Sequence, residues 1–109
     1  MNTNEAKTIL LICAAGISTG LLVKNMKDAA IEQGLDVHIY SAPAITAEDI
    51  LKREGIDALL IGPQSEYEIH RLKDYLNYNS VPYKLIEKDH YATLDGEKVL
   101  EQAMILLKK

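Results

Sequence analysis

Short apolar runs alternate with longer amphipathic stretches along the chain, and the apolar runs predict four strands. These runs lie at 8–13, 35–40, 57–61 and 83–86. After Thr8 and Asp57, the first and third are apolar without interruption, as expected of strands buried on both faces of a sheet. The second alternates, with Val37 and Ile39 on one side and His38 and Tyr40 on the other. That alternation indicates a strand near the edge of the sheet.

The amphipathic stretches predict four helices. Their expected N-terminal signals are Ser18 or Thr19, Thr46, Ser65 and Asp95. Ser65 is followed three residues later by Glu68, the spacing of a capping box, and Gly34 is placed to end the first helix. Residues 41–44 are expected to form a loop. The apolar positions predicted to face the core are Leu22, Met26, Ala29, Ala30, Ile69, Leu72, Leu76, Val99, Leu100, Ala103, Met104 and Leu107.

The alternation of strands and helices predicts an α/β fold. Right-handed crossovers give a small open four-stranded parallel sheet with helices on both faces, strand order 2-1-3-4, of the Rossmann-like or flavodoxin-like kind. Ligands bind such sheets beyond the carboxyl ends of the strands, where the strand order reverses. This point lies between strands one and three. The sequence therefore places residues 13–20 beside Gly62, Pro63 and Gln64.

Composition and charge narrow the classes of function. The 109 residues, 48% of them hydrophobic, predict one domain over 1–109. The net charge of −4 argues against binding to nucleic acid or to an anionic membrane surface. The uncharged run 8–23 is shorter than a membrane span, and bulky Ile12 does not suit a lipoprotein cleavage site before Cys13. A single cysteine fits a reducing compartment, so we expect a cytoplasmic protein without membrane insertion.

The one cysteine marks the candidate site. Cys13 ends the first strand, and small residues connect it to the first helix. Such a turn can aim successive N–H groups at an anion, and the positive end of the helix favours a thiolate. These features indicate phosphocysteine chemistry, with a phosphate-binding loop of Ala14, Ala15, Gly16, Ile17, Ser18, Thr19 and Gly20. The structural alternative is that Cys13 is a core residue and Ser18 or Thr19 only a helix cap.

A cysteine phosphatase is a second candidate function. Such enzymes place an Arg six positions after the cysteine, where this chain has Thr19, and no Arg or Lys occurs between Cys13 and Val23. Without a guanidinium to stabilise the charge of hydrolysis, the loop suits a carrier that hands its phosphate on. Asp89 remains a candidate general acid, so a phosphatase is still an alternative function. A non-catalytic adaptor is a further alternative.

A response-regulator-like receiver and a metal site are disfavoured. A receiver needs acidic residues where the first strand ends and an aspartate where the third ends, but Ile12 and Ile61 occupy these positions. His38, His70 and His90 lack the spacing of a preformed metal site. A phosphohistidine role for His70 or His90 stays an alternative. We expect no metal and no organic cofactor.

Three segments carry a resemblance to a known family. They are 9–19 around Cys13, the turn 61–64, and Asp95 with Gly96 before the last helix. Together they resemble the enzyme IIB component of the bacterial sugar phosphotransferase system, lactose/cellobiose (chitobiose) family. The resemblance extends from Lys7 to the end of the chain. Ile17 departs from it, because the family usually has Met there, a change of similar volume.

The resemblance implies a mechanism. The residue matching Cys13 accepts phosphate from a phosphohistidine of the cognate IIA protein and passes it to a sugar held by the membrane-embedded IIC component. The protein itself would stay cytoplasmic, associating peripherally with the membrane through IIC. Both transfers require an exposed sulfur within a docking face. The candidate residues of its rim are Gly62, Pro63, Gln64 and Tyr67, with Ile17, Ala42 and Pro43 beside them.

Overall fold

The computed structural model of the chain describes residues 6–13 and 17–108, except for the side chains of residues 17–19. Its sheet has four strands, β1 (Lys7–Cys13), β2 (Val37–Pro43), β3 (Ala58–Ile61) and β4 (Tyr83–Leu85). All neighbouring strands are parallel, and their order is β2-β1-β3-β4. The predicted topology is therefore confirmed.

The described residues form five α-helices, one more than the sequence predicts. They are α1 (Ile17–Gln33), α2 (Ala47–Arg53), α3 (Glu68–Tyr78), α4 (Lys88–Ala92) and α5 (Gly96–Leu107). Two short 3-10 turns, Ala44–Thr46 and Pro63–Ser65, precede α2 and α3. The unpredicted helix α4 has only five residues and buries none of them, so it leaves no apolar stripe in the sequence.

The sheet separates two layers of core. Ile9 and Leu11 of β1 face the layer that contains α1 and α5, whereas Leu10 and Ile12 face the layer with α2 and α3. All four side chains are fully buried. Burying an aliphatic side chain of this size contributes about 1.5–3 kcal/mol. The two-residue period of β1 thus fixes which helices cover each face.

The bounds of β2 differ from the prediction at both ends. The strand begins at Val37 because Gly34, with φ of +70°, and the hydrogen bond from Leu35 N to the Ala30 carbonyl close α1 first. It continues to Pro43 because its pairing with β1 extends to the last residue of that strand. The predicted loop 41–44 is therefore mostly strand. The prediction of an edge strand is confirmed.

Two of the predicted helix starts are wrong. Helix α1 begins at Ile17, so Ser18 and Thr19 lie in its first turn. Ser65 lies in the 3-10 turn before α3, which begins only at Glu68. The inserted 3-10 turn displaces this capping signal.

The predicted start of α2 is confirmed. Thr46 is the N-cap residue of this helix, and Glu48 and Asp49 lie in its first turn. The Thr46 hydroxyl itself donates to the Pro43 carbonyl at 2.8 Å and makes no side-chain cap.

The predicted cap of the last helix is confirmed. The Asp95 carboxylate accepts a hydrogen bond from Lys98 N at 3.0 Å. Of its predicted inward positions, Val99, Leu100 and Ala103 are buried, and the set also includes Gln102 and Leu106.

We expect Gly96→Ala to destabilise the fold by about 2–3 kcal/mol. A β-carbon at this buried position would lie 2.6 Å from the Asn25 carbonyl oxygen of α1, so α1 and α5 would have to separate. Urea unfolding followed by circular dichroism measures the change. The control is Gly20→Ala in α1, where nothing lies within 4 Å and a gain of roughly 0.5–1 kcal/mol is expected. Equal stabilities of the two variants would contradict this packing.

Tyr40 should ionise above the ordinary pH range of a tyrosine. Burial, the hydrogen bond to Glu54 at 3.0 Å and the charge of that carboxylate raise the pKa of Tyr40 to about 12. Because the folded state holds this proton more tightly than the unfolded state, its stabilising effect should decrease as pH rises from 10 to 12. Absorbance titration near 295 nm should show a late step that Tyr40→Phe removes. A titration unchanged by that substitution would contradict the assignment.

Candidate functional site

Cys13 lies where the central strand meets its two neighbours at the carboxyl edge of the sheet. On one side its register partner is Pro43, the last residue of β2. On the other side, Gly62 follows β3 directly, and its N–H donates to the Ile12 carbonyl at 2.8 Å. The structure therefore brings Cys13 and the Gly62 turn together at the edge that the topology predicts.

Gly62 has no room for a side chain beside Cys13. A β-carbon at this position would lie 3.2 Å from Cys13 Cβ, 3.4 Å from the Ile12 carbonyl oxygen and 3.7 Å from Tyr91 Cε1. The glycine thus allows β3, β1 and α4 to approach closely around Cys13. This close approach gives a physical reason for glycine at the start of the Gly-Pro-Gln turn.

The structure contradicts the expectation of an exposed sulfur. Cys13 is buried and only 3% exposed. Its strand is covered on both sides by β2 and β3, and Gly62 and Tyr91 add to the packing at the strand end. Sequence reasoning placed the cysteine at the correct edge but did not account for the side chains that cover this edge.

Most of the predicted phosphate-binding loop lies outside the described residues. This holds for Ala14, Ala15 and Gly16, and for the side chains of Ile17, Ser18 and Thr19. Gly20 is exposed in the first turns of α1. Because α1 begins four residues after Cys13, its N-terminus lies at the carboxyl edge, where the helix dipole favours an anion.

The other predicted residues of the rim differ in exposure. Gly62 is buried, Pro63 is half-buried, Gln64 is exposed, and Tyr67 is 60% exposed. Ala42 is half-buried and Pro43 is exposed. Among the rim residues that the structure describes, the accessible ones therefore lie at the end of β2 and in the segment after β3.

Helix α4 contributes residues that sequence reasoning missed. A hollow of about 470 Å³ next to the Gly62 turn is lined by Pro63, Gln64, Lys88, Tyr91, Ala92 and Leu94. The missed residues Lys88 and Tyr91 follow the carboxyl end of β4, and this topological position was the signal that could have found them.

Asp89 and His90 lie on the same helix but take no part in this hollow. Asp89 is exposed in the first turn of α4. His90 instead lines a groove of about 870 Å³ between α3, β4 and α5, together with Gln102. Its Nδ1 atom is 3.9 Å from a Glu87 carboxylate oxygen. Of the α4 side chains, Tyr91 is the one that reaches Gly62.

Comparison with known proteins identifies the family. A family model for "PTS system, Lactose/Cellobiose specific IIB subunit" matches residues 8–102. The chain belongs to this family. The resemblance drawn from its motifs is confirmed, and this IIB chain is a component of a sugar phosphotransferase system.

Curated relatives match almost the whole of this IIB chain. The galactose-specific EIIB component of Lactococcus lactis subsp. cremoris (strain MG1363) is 36% identical over 104 residues, covering 93% of this chain and 96% of the relative. The oligo-beta-mannoside-specific EIIB component of Bacillus subtilis (strain 168) is 34% identical over 101 residues, with the same coverage.

Solved structures of IIB proteins have the same fold. The cellobiose-specific phosphotransferase IIB protein of Borrelia burgdorferi has a TM-score of 0.78 at 28% identity, covering 96% of this chain and 94% of that protein. The lactose-specific IIB domain of Streptococcus pneumoniae has a TM-score of 0.81, covering 93% and 97%; at 16% identity this likeness shows the fold alone. Among the described residues of the present IIB chain, no helix is long and apolar enough to cross a membrane.

We expect Gly62→Ala to disturb the Cys13 end of β1. The added methyl group would press on Cys13 Cβ at 3.2 Å, so the free energy of unfolding should fall by about 1 kcal/mol. Loosening of the packing around Cys13 should also speed alkylation of the thiol by iodoacetamide.

Gly55→Ala is the matched control, because nothing lies within 4 Å of a β-carbon at that exposed position. It should leave the alkylation rate unchanged. Identical alkylation and stability in both variants would show that Gly62 does not constrain Cys13.

Proposed function

We propose that Cys13 is the phosphoryl carrier of this IIB protein. Its sulfur attacks the phosphorus of a phosphohistidine on the cognate IIA protein, so that a P–S bond forms as the P–N bond breaks and the imidazole takes up a proton. In the second step a sugar hydroxyl oxygen attacks the same phosphorus. The P–S bond breaks, the hydroxyl proton goes to a base or to water, and the thiolate returns.

The position of Cys13 is the observation that supports this proposal most directly. It ends the central strand at the sheet edge used for ligands, and the N-terminus of α1 follows after four residues. Phosphoryl transfer needs an in-line nucleophile and donors to the equatorial oxygens. We infer that the backbone amides of residues 14–20 supply these donors, with the Ser18 and Thr19 hydroxyls beside them.

A carrier is favoured over a phosphatase by the lack of cations in the loop sequence. Thr19 stands at the sixth position after Cys13, and the next basic residue is Lys24. A phosphothiolate without a guanidinium beside it is poorly prepared for hydrolysis, because the developing charge is not stabilised. Lys88 lines the same hollow as Gln64, but as a lysine it lacks the bidentate geometry of arginine.

The burial of Cys13 adds a requirement to the mechanism. A side chain that is 3% exposed cannot meet a phosphohistidine in line, so docking of IIA must uncover the sulfur. The same opening would serve the transfer to a sugar bound by the membrane-embedded IIC component. Both partners act at the cytoplasmic face of the membrane, where we place this protein.

The class of sugar follows from the relatives. Their names specify galactose, cellobiose and oligo-beta-mannoside. We therefore propose a sugar of the lactose or cellobiose (chitobiose) type for this chain. The contacts that select the sugar would lie mainly in IIC, so this IIB protein would govern phosphate delivery.

Incubation with phosphorylated IIA should place one phosphate on Cys13, detected by intact-protein and peptide mass spectrometry. Hydrolysis of p-nitrophenyl phosphate should remain at the buffer rate. Cys13→Ser should abolish the label and keep the far-UV circular dichroism spectrum, because serine is of similar size. Steady hydrolysis of p-nitrophenyl phosphate would instead favour the phosphatase. A wild-type protein that gains no phosphate and hydrolyses none would favour the non-catalytic adaptor.

A chemical control separates loss of the nucleophile from loss of the fold. Wild-type protein alkylated at its single thiol should be refractory to phosphorylation, and a mock-treated sample should label normally. A phosphate found on His70 or His90 in the alkylated protein would show that a histidine, and not Cys13, is the phosphate carrier.

A further inference from the structure

The groove that His90 and Gln102 line runs along β4, away from the strand that ends in Cys13. Its side walls come from α3 and α5, which pack on opposite faces of the sheet with the outer edge of β4 between them. Strand β3 separates β4 from β1, so the axes of these two strands are two strand spacings, about 10 Å, apart. The groove volume of about 870 Å³ is within the range of small-molecule sites.

Gln102 of α5 presents a hydrogen-bond acceptor to this groove. Its side chain is only 9% exposed, and its Nε2 donates to the Leu85 carbonyl of β4 at 3.0 Å. The Pro82 carbonyl and the Ile86 N–H bond to β3, so the Leu85 carbonyl, out of step with both, faces outward. Because β4 holds the amide nitrogen, the amide oxygen is left for the groove. This buried Oε1 finds no hydrogen-bond donor among the residues that the structure describes. A ligand that donates to it would remove the cost of leaving the oxygen unpaired.

His90 of α4 supplies a second polar atom of this kind. Its Nδ1 is buried and has no hydrogen-bond partner in the described part of the chain. The Glu87 carboxylate oxygen, at 3.9 Å, is beyond hydrogen-bonding distance. In a neutral imidazole this nitrogen donates or accepts according to the tautomer, whereas the Gln102 oxygen can only accept. A hydroxyl group suits both atoms, because it donates and accepts. The pair therefore indicates a ligand with several hydroxyl groups.

The charged side chains of the groove favour a neutral ligand. They are Lys84, Lys98, Glu87 and Glu101, so their charges sum to zero when His90 is neutral. The carboxylates accept hydrogen bonds from hydroxyl groups, and the ammonium groups donate to hydroxyl oxygens. A ligand with a net charge would gain an attraction from one pair and a repulsion from the other.

Apolar side chains complete the walls of the groove. They belong to Val81, Pro82, Tyr83, Ile105 and Leu106. Sites for small molecules combine apolar walls with a few placed polar groups in this way. A sugar has the matching surface, since its ring carries hydroxyl groups at the edge and C–H groups on its faces.

We propose that this groove is a second site of the IIB protein and binds a neutral sugar, whose hydroxyl groups pair with Gln102 Oε1 and His90 Nδ1. Cys13 takes no part in this binding. The inference thus goes beyond the proposed carrier function and does not require it.

The test is a titration of the full chain with glucose, galactose, cellobiose and lactose, followed in amide NMR spectra. At least one of these sugars should shift the signals of Leu85, His90 and Gln102 to a plateau. A local, saturable shift is the criterion, because sugars at high concentration stabilise proteins in general by exclusion from their surface. No saturable shift at these residues with any of the four sugars would overturn the site.

Two substitutions test the polar atoms separately. Gln102→Leu removes the acceptor and should weaken binding about tenfold, the loss expected for one hydrogen bond. Since it also removes the bond to Leu85, His90→Phe is the second variant; it keeps that bond and should weaken binding to a similar extent. Gln33→Leu at the end of α1 and His38→Phe on β2 are matched controls. Both residues are exposed and neither lines the groove, so binding should remain as in wild type. Unchanged affinity in both groove variants would contradict the assignment.

Two further comparisons test the class of ligand and the independence of the site. Glucose 6-phosphate should bind no more tightly than glucose, and tighter binding would indicate an anion site instead of a site for a neutral sugar. Cys13→Ser should bind sugar as wild type does, and loss of binding in this variant would contradict a site separate from the cysteine. Labelling by phosphorylated IIA tests the carrier function alone, so failure of one proposal leaves the other intact.

Discussion

The parallel hydrogen bonding of β1 to β2 and β3 at the same time is the constraint on which the site depends. Because β1 is paired on both edges, its carboxyl end is fixed against both neighbours, while the helix layers bury Ile9–Cys13 above and below the sheet. The ends of the flanking strands then determine what surrounds Cys13. Pro43 lies on one side and Gly62 on the other, and neither can shift without breaking the pairing of the central strand.

The same constraint explains why the surroundings of the cysteine are closely packed. Gly62 lies against Cys13 at this strand end, and the Tyr91 ring lies beside Gly62. Cys13 is only 3% exposed in this arrangement.

Much of the fold was accessible from the sequence because its signals are local and strong. The continuous apolar runs around Ile9 and Leu60 predicted buried strands, and Gly34 and Asp95 marked helix ends that the structure confirms. The Ser65 signal failed because a 3-10 turn lies between it and the start of α3, and pattern reasoning does not count those extra residues. Helix α4 and the burial of Cys13 depend on packing between distant segments, which no local pattern encodes.

The contact between Gly96 and Asn25 has a consequence for synthesis of the chain. Helix α1, which follows the cysteine, packs against α5, which comes after every other described element in the chain. Until α5 has left the ribosome, α1 lacks this cover and its apolar side is open to water. Burial of the helix that follows the cysteine therefore requires synthesis of the chain through α5.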